Sequence, residues 1–145
     1  TKLQSEQHVL ENENAIVVRI GKLYSDGSPF HPCFSNWMRE RFESGRKVPL
    51  FKDQYRTPIF VGDVGRAVEM IIRSQPRAGL YHLGGPERLS RLDFGNAFAE
   101  EFGFDVSQIE PVSSVESGLT RRGGDCSLDS SKNFSPLQSV PETGC

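Results

Sequence analysis

The run Ala15-Ile-Val-Val-Arg-Ile20 sets the strongest constraint on the fold. It is almost continuously apolar and β-branched, the pattern of a strand covered on both faces, as in a parallel sheet. Gly79-Leu-Tyr-His-Leu83 is a second run of the same kind, stopped by Gly84-Gly85-Pro86. Parallel strands need long crossovers, and the intervening chain carries helical patterns. Phe34, Trp37, Met38 and Phe42 fall at helical spacing within Phe34–Glu43, and Ser44-Gly45 ends that helix. Arg56 to Arg73 reads as a short strand turning directly into a helix. Thr57, Ile59 and Val61 alternate as in a strand, Asp63 stands where an N-cap belongs, and Val64, Ala67, Val68, Ile71 and Ile72 form one apolar face. Gly65 in that helix carries a propensity cost of about 1 kcal/mol if it is interior.

The remaining elements follow from turn and cap signals. Thr1–Glu13 is expected to be helical, with Leu3, Val9 and Leu10 on one side and Asn12 and Asn14 as stop signals. Gly21 to Pro32 reads as a loop, Val48 to Phe51 as a short apolar piece, and Lys52-Asp53-Gln54 as a turn. Ser90-Arg-Leu-Asp93 is a capping box. The helix it opens is expected to bury Leu92, Phe94, Ala97, Phe98 and Phe102 and to stop at Gly103. Ile109 to Val112 reads as one more short strand. From Ser113 on the chain is polar, and residues 133–145 are expected to form a disordered tail. The order of elements predicts an α/β architecture with a mainly parallel sheet. Two buried strands are too few for a stable open sheet, so the chain, which opens as if inside a helix, is expected to be a fragment of a larger unit.

Composition removes several functional classes. The net charge is −2, which offers no overall electrostatic case for nucleic acid or an anionic membrane. The longest apolar run is only a few residues, too short for a membrane-spanning helix. Cys33, Cys126 and Cys145 are odd in number and lack a CxxC pair, which argues against a zinc site or a dithiol motif and fits a reducing, cytoplasmic setting.

Five stretches together resemble one family. Thr1-Lys-Leu-Gln-Ser-Glu6 is similar to the end of a Tyr-x-x-x-Lys helix. Val18-Arg-Ile-Gly-Lys-Leu-Tyr24 is similar to a Leu-Arg-x-x-x-Leu-Tyr strand end, and Arg56 to Ala67 to an Arg-x-Pro-x-x-Val-x-Asp-Val-Ala-Arg-Ala segment. Gly79 to Gly85, followed by Leu89-Ser90, resembles a Gly-x-Tyr-His-x-x-Gly strand and the next helix start. Arg122 through Lys132 resembles an Arg-Pro-x-x-x-x-Leu-Asp-x-x-Lys end. Taken in this order, the stretches over residues 1–132 resemble the C-terminal half of an extended short-chain dehydrogenase/reductase of the dTDP-4-dehydrorhamnose reductase-like type. That resemblance implies the C-terminal half of a doubly wound Rossmann-like parallel sheet plus a small substrate-binding lobe. It also implies a nicotinamide cofactor, NADP or NAD, whose phosphate loop and selectivity residues belong to the other half.

The resemblance assigns roles residue by residue. Lys2 corresponds to the catalytic lysine, which binds the nicotinamide ribose and lowers the pKa of a tyrosine four positions earlier, outside this chain. On spacing alone Lys2 is a solvated helix-end lysine. Ile20, Gly21, Lys22 and Leu23, after the first strand, would face the nicotinamide through backbone contacts; Lys22 is uncommon there, and a plain strand-to-loop turn explains them equally well. Arg56 is the foremost candidate for a substrate pyrophosphate, because a guanidinium takes two phosphate oxygens at once. Arg122 is a second. On spacing alone Arg56 is a surface ion pair or a helix-supporting charge. Asn36 and Trp37 would contact the nucleotide base or sugar, although core packing accounts for Trp37 without a ligand. His82 reads as a hydrogen-bonded core histidine, and Arg39, Arg41, Arg46 and Lys47 as a solvated helix face.

The implied substrate is a nucleotide-linked sugar or a similar small carbonyl compound. The implied assembly is a homodimer or a complex with a regulatory partner enzyme. Two other readings stand beside the reductase: a non-catalytic subunit similar to the regulatory subunit of methionine adenosyltransferase, which shares this fold, and a sugar-nucleotide epimerase or dehydratase. Without the tyrosine and the phosphate loop, this chain alone is expected to be inactive.

Overall fold

A computed structural model describes residues 1–25, 33–118 and 124–130. The expected tail 133–145, together with Arg122 and Lys132, lies outside the described residues. The elements in order are α1 (Lys2–Leu10), β1 (Ile16–Ile20), β2 (Leu23–Tyr24), α2 (Phe34–Glu43), β3 (Val48–Phe51), β4 (Tyr55–Arg56), β5 (Ile59–Phe60), α3 (Val61–Ser74), β6 (Gly79–Leu83), β7 (Leu89–Ser90), α4 (Arg91–Phe102) and β8 (Ile109–Val112). The architecture is α/β.

Strands pair two by two. β1 runs parallel to β6, with Ile16 opposite Gly79 and Ile20 opposite Leu83. β2 is parallel to β5 and β3 to β8, while β4 and β7 are antiparallel. The expectation of a mainly parallel sheet therefore holds pair by pair. Full burial of β1 does not: its residues are half-buried and Ile20 is exposed. Among the described residues β1 has β6 as its one strand neighbour, so its other edge carries no strand. Helix α1 lies against β1 through Arg19, whose guanidinium donates to both carboxylate oxygens of Glu6 at 2.7–3.2 Å. Its apolar side chains Leu3, Val9 and Leu10 remain exposed.

The stretch 55–63 differs from its sequence reading. Arg56 lies within a strand rather than before one, and the alternating segment splits in two at Thr57-Pro58. Pro58 has no N–H to give a ladder, so β4 and β5 pair with different partners. Asp63 is not the N-cap. Pairing of Phe60 with Tyr24 keeps the chain extended to Phe60, and the helix starts at Val61. Asp63 falls in the first turn, where its charge complements the free N–H groups and meets Arg66. On α3, Ala67 and Ile71 are buried and Val64 packs beside them, whereas Val68 and Ile72 face outward.

The main core sits between α2, α4 and the β3–β8 pair. Met38, Phe42, Val48, Leu50, Phe98 and Ala99 form its buried centre. Burying a side chain of this size contributes about 1.5–3 kcal/mol. Phe42, Phe98 and Phe104 stack at 4.9–6.4 Å between centroids. Helix α4 starts on the expected capping box, since Ser90 Oγ accepts the Asp93 amide at 3.0 Å and Asp93 accepts the Ser90 amide at 2.9 Å. It stops at Gly103, whose φ of +69° suits glycine. Contrary to the sequence reading, Ala97 and Phe102 lie toward solvent, and Gly95 and Ala99 take the buried positions. Phe102 instead tilts against Phe98 beneath the Arg39 guanidinium, 4.3 Å from its ring centroid. The basic residues around α2 are thus not simply solvated: Arg41 lies 5.3 Å over Trp37, and Lys47 Nζ donates to the Ser107 carbonyl at 3.0 Å.

Candidate functional site

The chain crossings around β4 leave a cleft of about 220 Å³. Its walls come from four places in the sequence: Lys22, Leu23 and Tyr24 after β1; Phe34 at the start of α2; Arg56 and Pro58; and Leu89, Ser90, Arg91 and Phe94 at the β7–α4 junction. Short pairings bring these together. β2 is held beside β5, and β4 lies against β7 with Arg56 opposite Leu89. The capping box at Ser90 then fixes Arg91 as the first residue of α4 and Phe94 one turn on.

One wall is aromatic. Tyr24 meets Phe94 edge-on at 5.2 Å, and Phe94 lies 6.1 Å from Phe34. Arg91 lies over the Phe34 ring at 4.9 Å. Cations complete the lining: the described lining residues include Lys22, Arg56 and Arg91 and no carboxylate. A chain of net charge −2 therefore presents a locally positive, aromatic-sided cleft. This suits an anion attached to a flat or apolar group. Arg56 is half-buried, and its Nη1 donates to the carbonyl of Tyr55.

Three of the residues singled out from sequence, Lys22, Leu23 and Arg56, line this cleft. Ile20 and Gly21 lie just before it at the end of β1. The Gly21 N–H is spent on Leu83 O at 2.8 Å and the Lys22 carbonyl on the Ile59 amide at 2.9 Å, so backbone contacts to a cofactor are limited there. A side chain on Gly21 would meet Thr57 O at 2.4 Å, so only glycine lets these segments close. Ile20 and Leu23 do present exposed apolar side chains, and Lys22 an exposed cation. Lys2 stands exposed in the first turn of α1 and is not part of the cleft wall. Asn36 is engaged inside α2, its Oδ1 accepting the Cys33 amide at 3.1 Å. Trp37 stacks on Phe34 at 5.6 Å and packs on the core, so it supports the cleft wall from behind. His82 is half-buried, with Nδ1 3.3 Å from the Asp129 carbonyl.

Sequence reasoning missed Arg91, Tyr24, Phe34 and Phe94 as cleft residues. The capping box was a usable signal for Arg91, because it fixes which residue begins the helix. Phe34 and Phe94 read only as core. A further feature borders the cleft at the α2 N-terminus. Burial pushes the Cys33 thiol up, but hydrogen bonds from Ser25 and Ser35 and from the Asn36 and Ser25 backbone outweigh it and bring it to about 6. Among the described residues no cluster of His, Cys, Asp and Glu suits a metal ion, and no helix is long and apolar enough to cross a membrane.

Residues 1–138 match the family described as the RmlD substrate binding domain. The chain belongs to this family. As an RmlD substrate-binding domain it is 29% identical over 138 residues to methionine adenosyltransferase 2 subunit beta of Xenopus laevis, covering 91% of this chain and 41% of that protein. It is 30% identical over 117 residues to a dTDP-4-dehydrorhamnose reductase of Mycobacterium tuberculosis, covering 80% of this chain and 38% of the relative. The chain thus spans about two fifths of the length of these relatives. Its fold is similar to that of a dTDP-4-dehydrorhamnose reductase from Bacillus anthracis, solved in complex with NADP. The TM-score is 0.78 at 22% identity, covering 89% of this chain and 45% of that one. A Streptomyces venezuelae dTDP-glucose 4,6-dehydratase with NAD and TYD bound gives a TM-score of 0.71 at 17% identity, covering 99% and 45%. The fold of this RmlD-family domain is therefore that of one half of a Rossmann-like reductase or dehydratase.

Proposed function

We propose that this chain is the substrate-binding part of an NAD(P)-dependent reductase acting on a carbonyl group of a nucleotide-linked sugar. The single observation that carries this reading is the convergence of Arg56 with Arg91 and Lys22 against the Tyr24–Phe34–Phe94 wall. In this reading Arg56 grips the diphosphate, and the aromatic wall excludes water beside it. Trp37 acts by backing Phe34, and Arg122 is a second phosphate ligand by resemblance. Asn36 serves the substrate through the α2 start that it closes. Ile20, Gly21, Lys22 and Leu23 border the cofactor. When bound, the nicotinamide supplies hydride chemistry. Lys2 would hold its ammonium near a phenol provided by the rest of the reductase and so favour the phenolate form of that proton donor.

A regulatory, non-catalytic role is the second reading. It is favoured by the match to methionine adenosyltransferase 2 subunit beta, which covers more of this chain than the reductase match does. Calorimetric titration of the full 145-residue chain with dTDP separates the two. The reductase reading predicts binding that Arg56→Ala weakens at least about tenfold, as expected for losing a charge-assisted hydrogen-bond pair. Absence of dTDP binding, or binding untouched by Arg56→Ala, overturns it in favour of the regulatory role.

A further inference from the structure

Residues 124–130 run as a strap across the back of β4. The Tyr55 amide donates to Gly124 O at 2.7 Å, and the Cys126 amide donates to Tyr55 O at 3.1 Å. This makes a parallel bridge centred on Asp125. Two residues on, the Leu128 amide donates to Thr57 Oγ1 at 3.2 Å, and Ser130 Oγ accepts the Gly84 amide at 2.9 Å. The two residues flanking Arg56 are therefore both tied to the strap, one through its backbone and one through its hydroxyl. The Tyr55 carbonyl has a second donor, the Arg56 guanidinium itself. One oxygen thus links the strap to the cation that reaches the cleft.

The strap is in turn locked by side chains. Arg88 donates from Nε and Nη2 to Asp125 Oδ2 at 3.0 and 2.8 Å, and its guanidinium lies 3.6 Å from the centroid of the Tyr55 ring. Asp125 Oδ1 accepts the Ser127 amide at 2.9 Å and its hydroxyl at 2.7 Å. An ion pair this exposed adds little stability. Arg88 on the ring and Gly124 and Cys126 on the backbone nevertheless hold Tyr55 from two sides.

We propose that the 124–130 strap sets the direction of the Arg56 guanidinium in the cleft, with Asp125 and Arg88 as positioning residues. This rests on the reading above that Arg56 binds the diphosphate. None of the strap residues lines the cleft, and the Tyr55 carbonyl, which accepts from both Cys126 and Arg56, connects them to it.

A double-mutant cycle on the full chain, with dTDP as the probe, tests this. Asp125→Asn and Arg88→Gln are each expected to weaken dTDP binding about fivefold in the natural background, within the coupling range of one contact network. In an Arg56→Lys background, where the guanidinium anchored on Tyr55 is gone, the same changes are expected to shift affinity less than about twofold. Equal losses in both backgrounds overturn the proposal, because they mark a general structural defect. The second measurement needs no ligand: the NMR order of the Arg56 Nε–Hε bond. Either strap substitution is expected to loosen that bond while leaving the backbone signals of α4 in place, and an unchanged Arg56 overturns the proposal. Failure of the chain to bind dTDP removes the proposed function, while the order of Arg56 still decides the strap.

Discussion

Replacing Gly95 by alanine sets two effects of known size against each other. Gly95 lies inside α4, where a glycine costs about 1 kcal/mol of helix propensity relative to alanine, so propensity alone predicts stabilisation. The surroundings predict the opposite. A Cβ on Gly95 would stand 2.0 Å from Leu50 Cδ1 and 3.8 Å from Met38 Sδ. Both neighbours have no exposed surface, so Leu50 can yield only by rotating into the rest of the core. Overpacking of this kind costs about 1–3 kcal/mol, and more than one atom must move here. The upper part of that range wins, and the variant is expected to be less stable by about 1–2 kcal/mol. Gly65 in α3 is the internal control, because a Cβ there meets nothing within 4 Å. Gly65→Ala is expected to gain about 0.5–1 kcal/mol. Urea unfolding of both variants, followed by far-ultraviolet circular dichroism, measures the difference. In thermal melts the pair should separate on either side of the natural chain, each by about 2–4 °C per kcal/mol. A Gly95→Ala variant as stable as Gly65→Ala would refute the close α4–β3 contact.

Three further outcomes follow from the polar groups. The Gln54 side chain is fully buried, and among the described residues neither its Oε1 nor its Nε2 has a hydrogen-bond partner; Gln54→Met is expected to raise stability by about 1 kcal/mol or more, and a loss of stability in urea titration would show that the amide is in fact satisfied. The Cys33 thiol should react with iodoacetamide along a pH profile with its midpoint near 6, and Ser35→Ala should move that midpoint upward. Asp53 is held at about 2, first by the Ser114 amide against the cost of desolvation, and then by the Ser113 and Ser114 hydroxyls. A carboxylate lowered on folding adds stability that is complete above its unfolded value near 4 and is lost as pH falls toward 2. Asp53→Asn should therefore flatten the loss of stability across that window.

Helix α2 was legible to the residue, because Phe34, Trp37, Met38 and Phe42 share one face and Gly45, at φ +67°, supplies the stop. Strands β6 and β8 were legible in extent, β6 because Gly84-Gly85-Pro86 stops it, but β6 is not buried on both faces as expected, since Leu80 is exposed at the surface. The two-residue strands β2, β4, β5 and β7 were not read as separate elements. Two residues carry no period, and these pairings arise only once distant segments meet. The misplaced cap at Asp63 has the same origin, since the pairing of Phe60 with Tyr24 decides where the helix can begin. Arg56 stood out in the sequence as an isolated cation before a strand-to-helix turn. Arg91 did not, because its place beside Arg56 depends on the β4–β7 register. Phe34 and Phe94 carry the spacing of core residues, and nothing local shows that one edge of each ring faces a cleft.

In the proposed reading, the cleft between β4 and α4 receives a nucleoside diphosphate through Arg56. A crystal structure of the chain grown with dTDP tests it most directly. The diphosphate is expected between the Arg56 and Arg91 guanidinium groups, with the nucleoside against the aromatic wall. Electron density for dTDP elsewhere on the molecule, with Arg56 making no contact to it, would rule out Arg56 as the diphosphate ligand.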